Sequence, residues 1–316
     1  MKSRVSPFAL AVAALWAAGP AHAQDGEIPL PYRGAHCTTT LTDQPARPPA
    51  FPPAVQTRLD QDLRIAEAAL SIAPDREDHH IWLGRRLSYL GRLCEAIDAF
   101  SRGIERFPDS YKLRRFRGQT LTRVRAFDLA VRDFERAAAL DAGATDSFEP
   151  DGAPNAQNLA LGTYRSNIFY YLAQTQFATG DYRGLVANME RSIAAMPAHI
   201  LPEHLIPTTF WRYLALRKAG EGAAAQQLLA ALSDDIRPVE AAQYYEAVRL
   251  LRGQVREEAL TMPRDSIVRF AVAMKHRFDG DEAGARLRLA ALIADTPNGY
   301  WPAEVELAMS DRGRSR

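Results

Sequence analysis

Two neighbouring segments of this 316-residue chain align with each other when the sequence is shifted by 34 residues. The shift places small residues on small residues and phenylalanine on phenylalanine: Gly84 on Gly118, Ala96 on Ala130 and Phe100 on Phe134. Beyond the repeat, no strand-like alternation extends over a useful length, whereas apolar residues recur at helical spacing. A 34-residue unit of two helices buries its apolar face only by stacking on its neighbours. The repeat therefore predicts an all-α chain of antiparallel helical hairpins stacked into an α-solenoid.

The first full unit adds further anchors to this pattern, namely Leu83, Gly91, Leu93, Gly103 and Pro108. In type and spacing these residues resemble the tetratricopeptide repeat (TPR) family. The resemblance implies a TPR-like right-handed superhelix. Small side chains are needed where the two helices of a hairpin cross, because antiparallel helices approach to ~8 Å only where facing residues are small. Phe100 and Phe134 then fill the space between successive hairpins.

The match to the family is uneven along the chain, and it divides the sequence into segments. We expect a signal peptide, an arm, a capping helix and helical units in this order: 1–23 signal peptide, 24–54 proline-rich extended arm, 55–74 N-terminal capping helix, 75–142 two well-matched TPR units, 143–165 insert loop, 166–300 further TPR-like units that are partly degenerate, and 301–316 C-terminal tail. Prolines dominate the arm, which favours an extended conformation over helix or central strand.

Two features depart from the family pattern. Arg114 and Arg117 occupy positions where TPR units usually bury large apolar residues, so these side chains must reach solvent or find partners. The insert loop 143–165 interrupts the period, and insertions in solenoids usually lie on one face, which is often the binding face. The insert is therefore either a simple surface loop or a short lid over the groove.

The N-terminus has the organisation of an export signal. A basic start, Met1–Arg4, precedes an apolar stretch of ~14 residues that ends at Ala21-His22-Ala23, which predicts cleavage between Ala23 and Gln24. The alternative is a retained membrane anchor, but the stretch is shorter than the ~20 apolar residues of a spanning helix. No cysteine follows the cleavage site, so we expect no lipid anchor. The mature protein is predicted to be exported, either periplasmic or secreted, with no transmembrane anchor.

Charge and composition exclude several functions. Lys and Arg number 39 against 38 Asp and Glu, and removal of residues 1–23 takes away two of the basic residues, leaving 37 against 38. A near-neutral chain does not favour general nucleic-acid binding, which depends on neutralising phosphates. Motifs for phosphate binding, zinc hydrolysis or a nucleophilic serine are absent from the sequence. We therefore expect no cofactor, no metal and no catalytic residue.

The chain has two cysteines, Cys37 in the arm and Cys94 in the first unit. In an oxidising compartment these could pair and tie the arm to the first hairpin. On a chain-entropy estimate, closing a loop of about 58 residues would contribute ~4 kcal/mol. The alternative is two separate thiols.

The resemblance also implies a binding groove, because the first helix of each TPR hairpin lines the concave face. Mapped onto this chain, the groove positions are mostly basic, aromatic or amide: Arg85, Tyr89, Lys112, Arg115, Gln119, Arg123, Asn167, Tyr170 and Gln174. Such a surface would suit an acidic extended peptide or a C-terminal carboxylate, through charge-assisted hydrogen bonds. The carboxylate clamp of chaperone-type TPR proteins is not reproduced. The alternative is that these charged residues form a solvated helix face with no binding role.

These features favour a non-catalytic exported scaffold or adaptor that binds a protein or peptide segment in its groove, in envelope assembly or maintenance. The C-terminal half also weakly resembles periplasmic TPR adaptor lipoproteins. One alternative is the binding of an anionic envelope polymer or lipid headgroup by the basic helix at 112–125. Another is an enzyme with an unrecognised site in the groove or under the insert.

Overall fold

The computed structural model describes residues 28–152 and 155–314, so the predicted signal peptide at 1–23 lies outside the described residues. Within these ranges the chain forms two short 3-10 helices, Ala35–Cys37 and Glu257–Ala259, and thirteen α-helices. The α-helices are α1 (Pro53–Ile72), α2 (Glu77–Tyr89), α3 (Leu93–Arg106), α4 (Tyr111–Arg123), α5 (Phe127–Asp141), α6 (Tyr164–Thr179), α7 (Tyr182–Ala194), α8 (Leu201–Lys218), α9 (Gly222–Ala231), α10 (Ala242–Leu251), α11 (Ser266–Phe278), α12 (Glu282–Asp295) and α13 (Trp301–Arg314).

The helices pack largely in chain order, as an α-solenoid requires; the exception is α10, which packs on α8 and α11 rather than on α9. The hairpins α2–α3, α4–α5, α6–α7, α8–α9 and α11–α12 are consecutive antiparallel pairs, and the first helices of neighbouring units also touch: α2 on α4, α4 on α6, α6 on α8. Among the described residues β-pairing is limited to two isolated bridges. The predicted all-α solenoid of hairpins is confirmed. None of the described helices combines the length and hydrophobicity that crossing a bilayer requires.

The two best-matched hairpins close around their small residues. A Cβ added at Gly84 would lie 2.2 Å from a ring carbon of Phe100, and one at Gly118 would lie 3.0 Å from the ring of Phe134. Ala96 is fully buried. The first helix of each hairpin thus rests directly on the phenylalanine ring of the second, and the contact is tighter in the first unit.

The loss of stability on substituting these glycines should increase as the distance from the added Cβ to the phenylalanine ring decreases. We expect Gly84→Ala to lower the free energy of unfolding by ~1–3 kcal/mol, because overpacking displaces side chains or backbone. Gly118→Ala should cost less, since a few tenths of an ångström of ring movement relieves its contact. Gly222→Ala, which meets nothing within 4 Å, is the control and should be neutral or stabilising. Urea denaturation measures all three, and equal stability of the Gly84 and Gly222 variants would contradict the packing described.

The two arginines that depart from the family pattern are paired rather than exposed. Arg117 donates from Nε and Nη2 to the two carboxylate oxygens of Asp133, both at 2.7 Å, and from Nη1 to Ser101 Oγ at 3.0 Å. Arg114 lies 3.7 Å from the same carboxylate. A buried aspartate in α5 therefore compensates the charge that α4 brings into the interface.

The arm runs along the first units instead of extending into solvent. Ile28 and Tyr32 are buried, and the Tyr32 amide donates to Asp98 Oδ1 at 2.6 Å. The structure joins Cys37 to Cys94 in a disulfide, with 5.9 Å between the Cα atoms. The arm is thus fixed to α3 at two neighbouring places.

Residues 301–314 differ from the predicted tail, because they form helix α13 and close the solenoid. Trp301 stacks on Trp211 with ring centroids 6.0 Å apart and also contacts the ring of Phe127 at 5.9 Å. The sequence analysis missed this helix because it lies beyond the last repeat and lacks the repeat's anchor residues.

A buried ion pair holds α13 against the second hairpin. Arg125 occupies the turn position that Gly91 has in the first unit, and like that glycine it has a positive φ, 60°. Its guanidinium donates from Nε to Glu304 Oε2 at 3.0 Å, and the same oxygen accepts the Leu41 amide at 2.8 Å. Glu304 is fully buried, so one carboxylate joins α13, the α4–α5 turn and the arm.

Removing that carboxylate's charge should open the contact. We expect Glu304→Gln to lower the free energy of unfolding by ~3–5 kcal/mol, because Arg125 is left buried without its counter-charge. Glu190→Gln is the matched control: Glu190 is 59% exposed and pairs with Arg212 at the surface, where such pairs contribute at most ~1 kcal/mol. Urea unfolding of both variants tests this, and similar small losses would show that the pair is not needed.

Aromatic side chains fill the concave side of the C-terminal units. Phe177 of α6 contacts Trp211 of α8 at 5.4 Å and Phe270 of α11 at 6.3 Å between ring centroids. The first helices of these units therefore converge on a shared aromatic cluster.

His204 lies at the edge of this cluster. Its Nε2 is 2.8 Å from Ser192 Oγ, its ring faces Tyr170 at 5.6 Å, and its side chain is buried. Burial lowers the pKa of His204 from 6.5 to about 4, because desolvation penalises the protonated ring.

That shift predicts acid sensitivity. Between about pH 6.5 and 4 the unfolded chain binds a proton at His204 that the folded chain does not, so the stability present above this window is lost as the pH falls through it. The loss should be ~3 kcal/mol for this group. Unfolding of wild type and His204→Gln from pH 7 to pH 4 isolates the histidine from the carboxylates, and parallel pH curves would contradict the assignment.

Candidate binding groove

The groove predicted from the resemblance is formed by neighbouring first helices of three hairpins. Arg85 and Tyr89 are four residues apart on α2, and Arg115, Gln119 and Arg123 repeat the same spacing on α4. This spacing puts each set on one face of its helix, and the contact between α2 and α4 brings the two faces together.

A cavity of about 240 Å³ lies between these faces. All five of those predicted residues line it, together with Ser88, Phe100, Phe116, Thr120, Glu149 and Tyr171. The lining carries three guanidinium groups and one carboxylate, so the cavity is positively charged.

Aromatic rings hold the arginines of the cavity in place. The Arg115 guanidinium lies 4.4 Å from the ring centroids of both Phe116 and Tyr171, and Arg85 lies 4.4 Å from Trp82 and 4.7 Å from Phe116. Stacking on aromatic faces restricts the planar guanidinium and attracts its charge. The Phe116 ring therefore contacts the guanidinium groups of both Arg85 and Arg115.

Hydrogen bonds complete the arrangement. Arg85 Nη2 donates to Tyr89 Oη at 3.0 Å, and Arg123 Nη1 donates to Ser88 Oγ at 2.8 Å. Burial and the nearby Arg125 cation lower the pKa of Arg123. Arg85 Nη1 is buried and has no hydrogen-bond partner among the described residues, and leaving such a charged donor unpaired is costly. The cavity thus offers a donor that a carboxylate could accept from.

The other predicted groove positions are placed differently. Lys112 lies outside the cavity at the start of α4, 3.9 Å from Glu77 and 5.2 Å from the Tyr164 ring centroid. Asn167 Nδ2 donates to Glu149 Oε2 at 3.1 Å. Gln174 is half-buried on α6.

Tyr170 is a correction to the sequence analysis. Its side chain is buried, and it packs at 5.2 Å on Tyr171 and at 5.6 Å on His204 within the C-terminal core. Burial raises the pKa of Tyr170 well above its usual value. Tyr170 therefore contributes to packing and is not accessible to a guest chain.

The basic cluster at 112–125 does not form a surface patch. Arg117 pairs with Asp133, Arg125 with Glu304 and Arg115 with Glu149, and all three arginines are buried. Consecutive cations on a helix point to different sides, so the sequence run is divided among separate partners.

Part of the insert covers the cavity. We call residues 147–152 the insert segment; Glu149 Oε2 within it lies 2.8 Å from Arg115 Nε. At its end Gly152 accepts a hydrogen bond from Arg86 Nη1 at 3.1 Å and lies so close to Tyr89 that a Cβ would be 1.6 Å from the tyrosine oxygen. Of the two expectations for the insert, the lid is the one that these contacts match. The sequence analysis did not name Glu149, although an acid in the insert is complementary to the basic groove positions and could have indicated this contact.

Fold and groove together define a TPR-like α-solenoid with a cationic concave site in its N-terminal units. The resemblance to the TPR family is thereby confirmed at the level of repeat and helix packing. A scan against protein-family models finds no match to the chain, and a search of curated proteins finds none.

Several solved structures are similar to the chain. They are the MamA protein (15% identity, 64% of this chain and 90% of that chain, TM-score 0.42), YrrB, described as a TPR protein with an unusual peptide-binding site (12%, 78% and 97%, 0.42), and PilW, described as a widely conserved type IV pilus biogenesis factor (17%, 81% and 94%, 0.43). At such identities and TM-scores these similarities carry nothing about binding, and the solenoid assignment depends on the chain's own repeat and contacts.

Proposed function

We propose that this protein is an exported, non-catalytic scaffold that holds an acidic protein or peptide segment in the groove between α2 and α4, in envelope assembly or maintenance. The observation that carries the proposal is the cavity where Arg85, Arg115 and Arg123 converge on one space. Three fixed cations against one carboxylate leave an excess of positive charge, which a ligand carboxylate would neutralise.

The groove is organised before any ligand arrives. Phe116 and Tyr171 restrict Arg115, and Trp82 and Phe116 restrict Arg85. A rigid guanidinium loses less conformational entropy on binding than a flexible one. Preorganised arginines of this kind favour recognition of planar carboxylates over diffuse attraction to a charged polymer.

The extracytoplasmic location is supported by the signal-like sequence of residues 1–23 and by the Cys37–Cys94 pair, since disulfides persist in oxidising compartments. A partner would therefore be an envelope or secreted protein. Direct binding of an anionic polymer by a surface patch at residues 112–125 is not favoured, because Arg115, Arg117 and Arg125 of that run are buried and paired with three different carboxylates.

Binding of a fluorescein-labelled hexaglutamate peptide, followed by anisotropy, tests this proposal. We expect the intact chain to bind hexaglutamate more tightly than hexaglutamine, and Arg85→Gln with Arg123→Gln to weaken binding by ~10–100-fold, as loss of charge-assisted hydrogen bonds does. Higher salt should weaken the wild-type interaction.

The matched control removes two cations elsewhere. Arg212→Gln with Arg269→Gln abolishes the surface pairs with Glu190 and Asp295 and lowers the net charge equally. This control should bind like wild type. Equal binding of hexaglutamate and hexaglutamine, or equal weakening in both double variants, would refute recognition in the groove.

A further inference from the structure

The insert segment, with the sequence Ser-Phe-Glu-Pro-Asp-Gly, lies on the groove and places the Glu149 carboxylate against Arg115. The Glu149 side chain is only 10% exposed, although it belongs to a loop, and its carboxylate meets both Arg115 and the Asn167 amide. A carboxylate of this chain thus already occupies one of the positions that an acidic ligand would take.

Asp151, two residues after Glu149, is exposed, and the charge of Arg85 opposes the rise in its pKa that partial burial causes. Glu149 is thus the carboxylate of the segment that contacts a cavity arginine, and Asp151 adds a second negative charge to the segment. The segment fits the groove in shape as well, because Gly152 lies against Tyr89 where no Cβ has room.

The segment is attached lightly. Two backbone hydrogen bonds hold its base, from the Glu149 amide to the Gly162 carbonyl at 2.9 Å and from the Tyr164 amide to the Ser147 carbonyl at 3.0 Å. Phe148 is 42% exposed and Pro150 is exposed as well. A segment with few buried apolar contacts opens at low free-energy cost, so its hold on the groove depends mainly on the Glu149 carboxylate and on the hydrogen bond from Arg86 to the Gly152 carbonyl.

We propose that the insert segment is an internal ligand that competes for the groove with the acidic segment of a partner. The inference rests on the proposed function, since both concern the same arginines. It also specifies the partner: a turn or extended stretch with two carboxylates separated by one residue, followed directly by glycine. A partner that supplies these groups displaces residues 147–152 and takes over the contacts to Arg115, Arg86 and Tyr89.

The experiment compares the intact chain with its double variant Glu149→Gln, Asp151→Asn. The probe is a labelled peptide with the sequence of residues 145–152, Thr-Asp-Ser-Phe-Glu-Pro-Asp-Gly, and the control peptide has Gln and Asn in place of Glu and the second Asp. We expect the double variant to bind the acidic probe ~10-fold or more tightly than wild type, because affinity rises with the fraction of protein whose site is open. The control peptide should bind neither protein well.

A charge-matched variant separates competition from general electrostatics. Glu190→Gln with Asp295→Asn raises the net charge by the same amount at two exposed surface pairs, and it should bind the probe like wild type. An equal gain in probe affinity in this control would overturn the inference. Equal probe affinity of wild type and the double variant Glu149→Gln, Asp151→Asn would also overturn it.

Hydrogen exchange on the unmodified chain gives a second readout that does not depend on any variant. Saturating probe should speed exchange at the amides of Glu149 and Tyr164, because displacement breaks their hydrogen bonds. Binding with unchanged exchange at both amides would overturn the inference while leaving the proposed groove intact. If neither the probe nor hexaglutamate binds wild type or the double variant Glu149→Gln, Asp151→Asn, the proposed function itself is wrong and the inference falls with it.

Discussion

The structure depends on how closely the two helices of a hairpin approach each other. At Gly84 the backbone of α2 rests on the ring of Phe100, so the hairpin presents a flat apolar face to the next unit. A hairpin of this size cannot bury that face alone, and stacking on neighbours is what stabilises it. The groove follows from the same constraint, because stacking brings the first helices of adjacent hairpins side by side and gathers their polar faces into one surface.

The packing of α13 that closes the solenoid requires an unfavourable backbone conformation at Arg125. Arg125 adopts a positive φ that a glycine adopts readily and other residues seldom do. This conformation is offset by the ion pair of Arg125 with the fully buried Glu304, whose carboxylate also accepts a hydrogen bond from the Leu41 amide. The N-terminal arm, the second hairpin and the last helix are thereby joined at one carboxylate, and the curvature of the solenoid is fixed where an open repeat array would be free to flex.

The groove lies where this closure leaves space. In the C-terminal units aromatic rings such as Phe177 and Trp211 fill the concave side, whereas between α2 and α4 the concave side carries arginines that rings hold in position. An arginine-lined cavity is costly to leave without anions, because buried guanidinium donors lose water. The insert segment supplies Glu149 to Arg115 and lowers that cost within the chain itself.

The sequence alone determined the repeat, the all-α hairpins and five of the residues that line the cavity, because period, small residues and helical spacing are local properties that survive in any stacked arrangement. It did not show that Tyr170 is buried, that residues 301–314 form a closing helix, or that the groove receives Glu149. Tyr170 and Glu149 contact residues of neighbouring hairpins, and Arg125 and Glu304 are 179 residues apart. Such contacts depend on how the hairpins stack on one another, and only the tertiary structure decides that.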